Sequence, residues 1–306
     1  MVAVALVVAV VDSGVMSAHP SLKGRLLPGA DMVSDPFSRR GGRSNNAEPD
    51  ERMAHCSKGR PVAQYRTHGT EVASVLVGNG VGGAYGVASE AMVLPVRVMS
   101  ACGMNRKDLI DAMVWAGGLQ VADMPLNQHP AKVVNVSLTG GRTTCGADMQ
   151  GAIDALVAEG VFVVAAAGNT FGAPLKEPAN CKGVISVGAV NQKNEVTAYT
   201  ALDARTTVYA MGGETKRGED GRRIQAGLTV ASFALSSNGN EQASVHDRGV
   251  GTSFAAPLVA GFIANWLTQE PSLKPQDFVD QLHHITQAAV STTACTSCQP
   301  RVLKLN

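Results

Sequence analysis

The chain has 306 residues, a length that fits one large α/β domain or two ordinary ones. Hydrophobic residues make up 45% of it and charged residues 17%, a globular composition that excludes disorder as a description of the whole chain. The 26 basic and 25 acidic residues leave a formal net charge of +1; this balance argues against a nucleic-acid binder, and no apolar run approaches the roughly 20 residues of a membrane span.

Apolar, β-branched runs alternate with helical patterns along the chain. The first run, 2–11, has no basic residue before it and no cleavage site after it, so we interpret it as a buried strand rather than a signal peptide. Strands are predicted at 2–11, 91–98, 131–138, 161–166 and 183–190, and helices at 70–77, 105–116, 148–159, 253–268 and 275–284. Strands that alternate with helices predict an α/β fold with a doubly wound, mainly parallel sheet flanked by helices.

No internal repeat or linker divides the sequence, which predicts a single domain over residues 1–306. Two parts interrupt the alternation of strands and helices. Residues 35–61 are polar and rich in Gly, Arg, Asn and Pro, which predicts a long surface loop. Residues 205–241 mix Gly-rich turns with short β-like pieces such as 228–233. Beyond these two parts, residues 269–306 are expected to form a C-terminal helix and tail.

Six cysteines lie in polar, loop-like segments, and an even count of this kind favours disulfides and therefore a secreted or otherwise extracytoplasmic protein. The alternative is a set of free buried thiols. Six cysteines allow 15 pairings. Placement in the predicted loops favours Cys56–Cys102 and Cys145–Cys181, with Cys295–Cys298 as a local loop. A redox protein built on that last C-x-x-C is less favoured, because the motif does not follow a strand at the start of a helix.

Three short motifs contain residues suited to nucleophilic catalysis. Asp12 follows the first strand in D-S-G, His68 starts H-G-T before a predicted helix, and Ser253 lies in G-T-S at the start of another. Each alone is more typical of a cap or turn. Together they occur in one of the known chain orders of a Ser-His-Asp triad, in which the histidine takes the serine proton and the carboxylate orients the histidine.

With these motifs the chain resembles the subtilase family of serine proteases, and specifically its secreted, cysteine-containing bacterial members. The resemblance extends from residue 2 to about residue 268. It implies a subtilisin-like fold and a serine endopeptidase that works through an acyl-enzyme intermediate. The segment V-V-A-A-A-G-N, which ends at Asn169, resembles the family strand that ends in the oxyanion-hole asparagine. Asn169 is therefore expected to act there beside the Ser253 backbone N–H.

The same resemblance places two walls around an extended substrate. Their residues are Ser100, Ala101, Cys102 and Gly103 on one side, and Ser137, Leu138, Thr139, Ala166, Ala167 and Gly168 on the other. The second group carries small or apolar side chains without fixed charge, which predicts broad specificity with an apolar preference before the cut. Two positions depart from the family pattern: Glu71 stands where a histidine is often repeated, and Thr139 stands where glycine is usual.

No cofactor is expected for the chemistry. Members of the resembled family often bind structural calcium, and Asn79 in G-N-G-V is the candidate ligand here. An ordinary Gly-rich turn explains this segment equally well. The expected partners are protein or peptide substrates and the chain's own prodomain, which would lie outside this sequence. The alternative function is a catalytically impaired subtilase-fold protein that binds peptides. It would require a broken triad or oxyanion hole, and all four residues are intact.

Overall fold

The computed structural model describes residues 5–35, 43–49, 56, 64–218, 222–235, 242–289 and 300–304. The chain divides into two compact units. The first comprises Met1–Val134 and Val230–Asp247, and the second Asn135–Thr229 and Arg248–Asn306. The single domain predicted over 1–306 stays a prediction. Within the described ranges, no helix is both long enough and apolar enough to cross a membrane.

Parallel strands and two helices form the framework of the first unit. Its strands are β1 (Val7–Asp12), β2 (Ala30–Asp31), β3 (Met92–Arg97), β4 (Met99–Ser100) and β5 (Gly103–Met104), and its helices are α1 (Gln64–Val77) and α2 (Arg106–Ala116). β3 pairs in parallel with both β1 and β2, whereas β4 and β5 form a short antiparallel ladder. Both helices pack against β1 and β3. Because helices cover them, β1 and β3 are almost continuously apolar, and their side chains are nearly all buried.

The second unit is also built from parallel strands packed against helices, and its parallel array has more strands. It contains α3 (Ala147–Ala158), β7 (Phe162–Ala166), β8 (Val184–Val190), β9 (Val208–Met211), β10 (Glu214–Arg217), β11 (Arg223–Ala226), α4 (Thr252–Gln269), α5 (Pro275–Asp280), α6 (Leu282–Ile285), β14 (Thr286–Ala288) and β15 (Arg301–Leu303). β8 pairs in parallel with β7 and β9, and β15 extends the array beyond β9. α4 packs on β7, β8 and β9, and α3 packs on β7. Three further strands run from one unit into the other along the chain: β6 (Val133–Val136), β12 (Leu228–Leu235) and β13 (Gln242–Gly249).

All five predicted strands are present and the α/β class of the prediction is confirmed; β3, β6, β7 and β8 are shorter than predicted, and β1 ends one residue later, at Asp12. The C-terminal part differs from the expected helix and tail. The helix predicted at 275–284 breaks at Gln281 into α5 and α6, and β14 and β15 follow as an antiparallel pair. These two strands have three residues each, too short for an alternating pattern to be visible in the sequence.

Candidate active site

Asp12 is the last residue of β1 and its side chain is fully buried. Its Oδ1 accepts a hydrogen bond of 2.7 Å from the backbone N–H of Ser13. Nδ1 of His68 lies 2.9 Å from Oδ1 and 3.0 Å from Oδ2. A buried carboxylate that accepts these bonds holds the imidazole with its Nδ1–H toward the acid and leaves Nε2 as the basic nitrogen. This is the first half of the arrangement that the sequence predicts.

His68 lies inside α1, and this corrects the sequence prediction, which began the helix at residue 70. α1 begins at Gln64, so both His68 and Gly69 are helical. The role of Gly69 within the helix is steric. A Cβ at this position would lie 2.3 Å from the carbonyl oxygen of Gly14, so only glycine lets the helix approach the segment that follows β1.

Two hydroxyl groups attach α1 to that segment. Ser13 Oγ accepts a 2.9 Å bond from the Gly69 N–H and donates to the Arg66 carbonyl at 3.3 Å. Thr70 Oγ1 accepts a 3.0 Å bond from the Met16 N–H. The sequence analysis missed the positioning role of Ser13 and Thr70, although both lie within the D-S-G and H-G-T motifs. The Asp12–His68 geometry is therefore set by the backbones of both motifs as well as by the pair itself.

Burial lowers the pKa of the His68 imidazole, but the charge of Asp12, its hydrogen bond and the charge of Glu71 together outweigh burial, so the pKa is raised above its ordinary value. Glu71 is one turn further along α1, and residues three apart on a helix are neighbours. Its Oε1 accepts a 2.8 Å bond from Ser232 Oγ. The acidic residue that departs from the family pattern is thus held on the helix turn next to the histidine.

Ser253 is the second residue of α4, in the second unit. It exchanges two hydrogen bonds with Ser137: Ser253 Oγ donates to the Ser137 carbonyl at 3.0 Å, and Ser137 Oγ donates to the Ser253 carbonyl at 2.7 Å. Gly251 precedes the helix with φ +147°, and a Cβ there would lie 2.9 Å from Asn169 Nδ2. Glycine at 251 therefore allows the start of α4 to approach Asn169.

Asn169 is exposed, and its amide is held by the residue before Ser253. Its Oδ1 accepts a 3.0 Å bond from the Thr252 N–H and a 2.9 Å bond from Thr252 Oγ1. Thr252 Oγ1 in turn accepts a 3.1 Å bond from the Gly168 N–H. With the oxygen end occupied, the Nδ2 end of the amide is the donor that Asn169 can offer to a ligand. Thr252 was not singled out from the sequence, although it is the middle residue of G-T-S.

The predicted wall residues are distributed between the units. Ser100 to Gly103 form the β4–β5 turn of the first unit, where Ser100 Oγ accepts a 3.1 Å bond from the Cys102 N–H. Ser137, Leu138, Ala166, Ala167 and Gly168 are buried in the second unit, whereas Thr139 is exposed. A Cβ at Gly168, where φ is +105°, would lie 3.1 Å from the Thr139 methyl group. The methyl group of Thr139 thus lies against Gly168.

Two disulfides lie next to these segments. Cys56 bonds to Cys102 and Cys145 bonds to Cys181, the two long-range pairings expected from the sequence. Each bond lies within one unit. Cys295 and Cys298 lie outside the described residues, so their pairing stays a prediction.

Both ends of the Asn79 side-chain amide are hydrogen-bonded. Its Oδ1 accepts from the Val81 N–H at 3.1 Å, which is the bond of an ordinary Asx turn. Its Nδ2 donates to the carbonyl of the distant Pro20 at 2.9 Å. Among the described residues, no three or more His, Cys, Asp or Glu side chains come together as a metal-binding group.

A model of the subtilase family matches residues 4–304 of the chain. An extracellular protease of Xanthomonas campestris pv. campestris is 35% identical over 300 residues, which cover 95% of this chain and 49% of that protein. An extracellular basic protease of Dichelobacter nodosus is 35% identical over 272 residues, covering 85% of this chain and 42% of that protein. The solved structure of a protease from Pseudoalteromonas arctica superimposes with a TM-score of 0.83 at 33% identity, over 98% of this chain and 88% of that one.

The chain therefore spans a little under half the length of these two curated relatives. The solved structure confirms the predicted subtilisin-like α/β fold, because it covers nearly the whole chain at an identity well above chance. The family match likewise includes D-S-G, H-G-T, the segment ending at Asn169 and G-T-S. The chain belongs to the subtilase family.

Proposed function

We propose that the chain is a secreted serine endopeptidase in which Asp12, His68 and Ser253 act as one triad and Asn169 supplies the oxyanion hole. The observation that carries the proposal is the bond between the buried Asp12 carboxylate and His68 Nδ1, at 2.9 Å. It prepares the imidazole as a base, and family membership supplies the expectation that Ser253 is its partner. The two disulfides and the extracellular relatives support secretion.

In the proposed reaction, His68 Nε2 takes the proton of Ser253 Oγ as that oxygen attacks the carbonyl carbon of the scissile peptide bond. The negative charge that develops on the carbonyl oxygen is stabilised by Asn169 Nδ2 and the Ser253 N–H. His68 then gives its proton to the leaving amine, the C–N bond breaks and an acyl-enzyme remains. In deacylation, water loses a proton to His68 as it attacks the ester carbonyl. His68 then returns that proton to Ser253 Oγ as the ester C–O bond breaks, which releases the acid and restores the serine hydroxyl. The chemistry uses protein groups only.

We also propose broad specificity with a preference for apolar side chains before the cut. Its support is the composition of the segment after β6 and at the end of β7, which offers small or apolar groups such as Leu138, Ala166 and Ala167. A strict requirement for Arg or Lys in a cleavage-site profile would contradict this part. The chain's own prodomain remains the expected partner besides substrates.

Cleavage of a fluorogenic peptide library by the purified chain, with and without a serine-directed phosphonylating reagent, tests the activity. Ser253→Ala should lower kcat by about 10⁴-fold or more while the unfolding temperature stays within a few degrees. Ser17→Ala removes an exposed hydroxyl of the same unit as Asp12 and is the matched control, with unchanged kinetics expected. Near-normal cleavage by Ser253→Ala would refute the assignment. Peptide binding by the wild-type chain without any cleavage would support the impaired, peptide-binding alternative instead.

A further inference from the structure

Phe171 has an unusual backbone conformation for its residue type. Among the described residues, the non-glycine residues with positive φ are Asp123 (60°), Asn194 (60°) and Phe171 (50°). Asp and Asn tolerate this region because their short polar side chains bond locally, whereas a bulky aromatic residue there is a true outlier. The conformation at Phe171 therefore costs folding free energy that Gly or Asn would avoid.

The ring of Phe171 gains no burial from this conformation. Its exposed fraction is 77%. Among the exposed large apolar side chains, Tyr85 has the same exposed fraction. Tyr85 has a visible packing role, since a Cβ at Gly80 would lie 2.5 Å from its Cε1 atom. An aromatic ring that is exposed and carried by a strained backbone does not stabilise the fold, so a role in binding is the better explanation.

Hydrogen bonds hold the backbone around Phe171 in place. The Phe171 N–H donates to the Tyr199 carbonyl at 2.9 Å, and the Gly172 N–H donates to the Thr200 carbonyl at 3.1 Å. Thr170 Oγ1 donates to the Ala173 carbonyl at 3.3 Å, and the Ala173 N–H returns a 3.3 Å bond to the Thr170 carbonyl. The ring is thus presented from a fixed loop, which reduces the entropy that a ligand contact would cost.

This loop begins at Asn169, the proposed oxyanion donor, so the Cα atoms of Asn169 and Phe171 are at most about 7 Å apart. Both side chains are exposed. The residues just before Asn169 are Ala166, Ala167 and Gly168, which are buried and carry little or no side chain. A large apolar substrate side chain that binds next to these small residues needs an apolar group to cover the part of it that faces solvent. In this loop, Phe171 is the aromatic residue close enough to Asn169 to do so.

We propose that the ring of Phe171 binds the substrate side chain at P1, the residue whose carbonyl is cleaved, and thereby favours large apolar residues there. The inference rests on the proposed function, because it takes Asn169 as the marker of the scissile carbonyl. Aromatic contacts of this kind contribute about three- to tenfold in affinity. The ring would act on substrate binding, so its loss should raise KM and leave kcat nearly unchanged.

The test uses peptide substrates that differ only at P1, with Phe, Leu or Ala. Phe171→Asn removes the ring and suits the positive φ. It should lower kcat/KM about three- to tenfold for P1 Phe and Leu and less than about twofold for P1 Ala. The melting temperature should stay the same or rise, because strain is released. Phe171→Tyr keeps the ring and should keep the preference, and Tyr85→Ala, the equally exposed control, should not alter the dependence on P1.

Three results would overturn the proposal. Phe171→Asn could lower kcat/KM equally for all P1 residues, or the loss of kcat/KM could depend on the identity of the residue after the cut instead of on P1. The third result is a lower melting temperature for both Phe171→Asn and Phe171→Gly. The last result would make the ring a structural element. The proposed function fails separately, if the wild-type chain cleaves none of the peptides or is insensitive to the phosphonylating reagent.

Discussion

Replacing Glu71 by Gln should shift the pH dependence of cleavage to lower pH. Glu71 raises the pKa of His68 from one helix turn away. At about 6 Å, two unit charges interact by about 0.7 kcal/mol in water and about 2.8 kcal/mol at an effective dielectric of 20. The His68 side chain is 19% exposed, and Glu71 is partly exposed, so we expect solvent to weaken the interaction. The pKa of His68 should then fall when the Glu71 charge is removed.

The sign follows from the role of the base. In the proposed mechanism cleavage needs neutral His68, so kcat/KM should fall as the pH drops through the His68 pKa. Without the Glu71 charge the imidazolium is less stable, so the pKa of His68 is lower. The acid limb of the pH profile therefore moves to lower pH. Well below the wild-type midpoint, Glu71→Gln should retain about threefold more activity than the wild-type chain, which is the factor that about 0.7 kcal/mol corresponds to.

The assay is kcat/KM for one fluorogenic peptide from pH 4.5 to 9 at low and high salt. Glu90→Gln is the matched control, since Glu90 belongs to the same unit, is 84% exposed and pairs with Arg25 at 3.3 Å. An acid limb that does not move in Glu71→Gln, or that moves equally in Glu90→Gln, would refute the reasoning. The first result would show that Glu71 acts only through its bond to Ser232.

Asp12→Asn should lower kcat by about 10⁴-fold, measured in the same assay, because an amide no longer holds the His68 tautomer; a loss below tenfold would contradict the triad. The double substitution of Cys145 and Cys181 by Ser opens a link of 36 residues and should lower the free energy of unfolding by about 3–4 kcal/mol, measured by denaturant titration. An unchanged midpoint would refute that estimate. Burial lowers the pKa of His19, so its contribution to stability is complete above about pH 6.5 and is lost as the pH falls below that value. His19→Asn keeps an acceptor for the Ser21 N–H and should flatten the decline of the melting temperature from pH 7 to 5, whereas an equally steep decline would exclude His19 as a source.

The apolar runs were enough to predict the buried strands, because a strand that is covered on both faces consists almost entirely of apolar residues. The start of α1 could not be predicted in this way. Gly69 has low helix propensity, and its presence is explained only by the approach to the Gly14 carbonyl, a contact between segments far apart in the sequence. The same applies to Gly251, which is needed because Asn169 lies against it.

Motif order was enough to nominate Asp12, His68 and Ser253, since the chemistry restricts which residue types are useful, whereas Asn169 was nominated by the family resemblance. The supporting contacts were not visible in the sequence. Glu71 was noted only as a departure, and its link to Ser232 joins residues 161 positions apart. Phe171 gave no signal at all, because a positive φ at an aromatic residue is set by the loop around it and not by its neighbours' identities.

The two bonds from Thr252 to Asn169 also decide between two nearly isosteric states of one amide group. Rotation of the Asn169 amide by half a turn would exchange Oδ1 and Nδ2 and would set the Thr252 N–H, which lies 3.0 Å from Oδ1, against another donor, whereas Thr252 Oγ1 could still accept a bond from Nδ2. The loss of one such bond at about 1 kcal/mol corresponds to a population ratio of about five to one. In the proposed role, the rotated state would present an oxygen to the negatively charged intermediate and repel it. Thr252 thus sets the orientation of the Asn169 amide. In the proposed role, the fraction of molecules competent for turnover at any instant depends on Thr252, although this residue takes part in no chemical step.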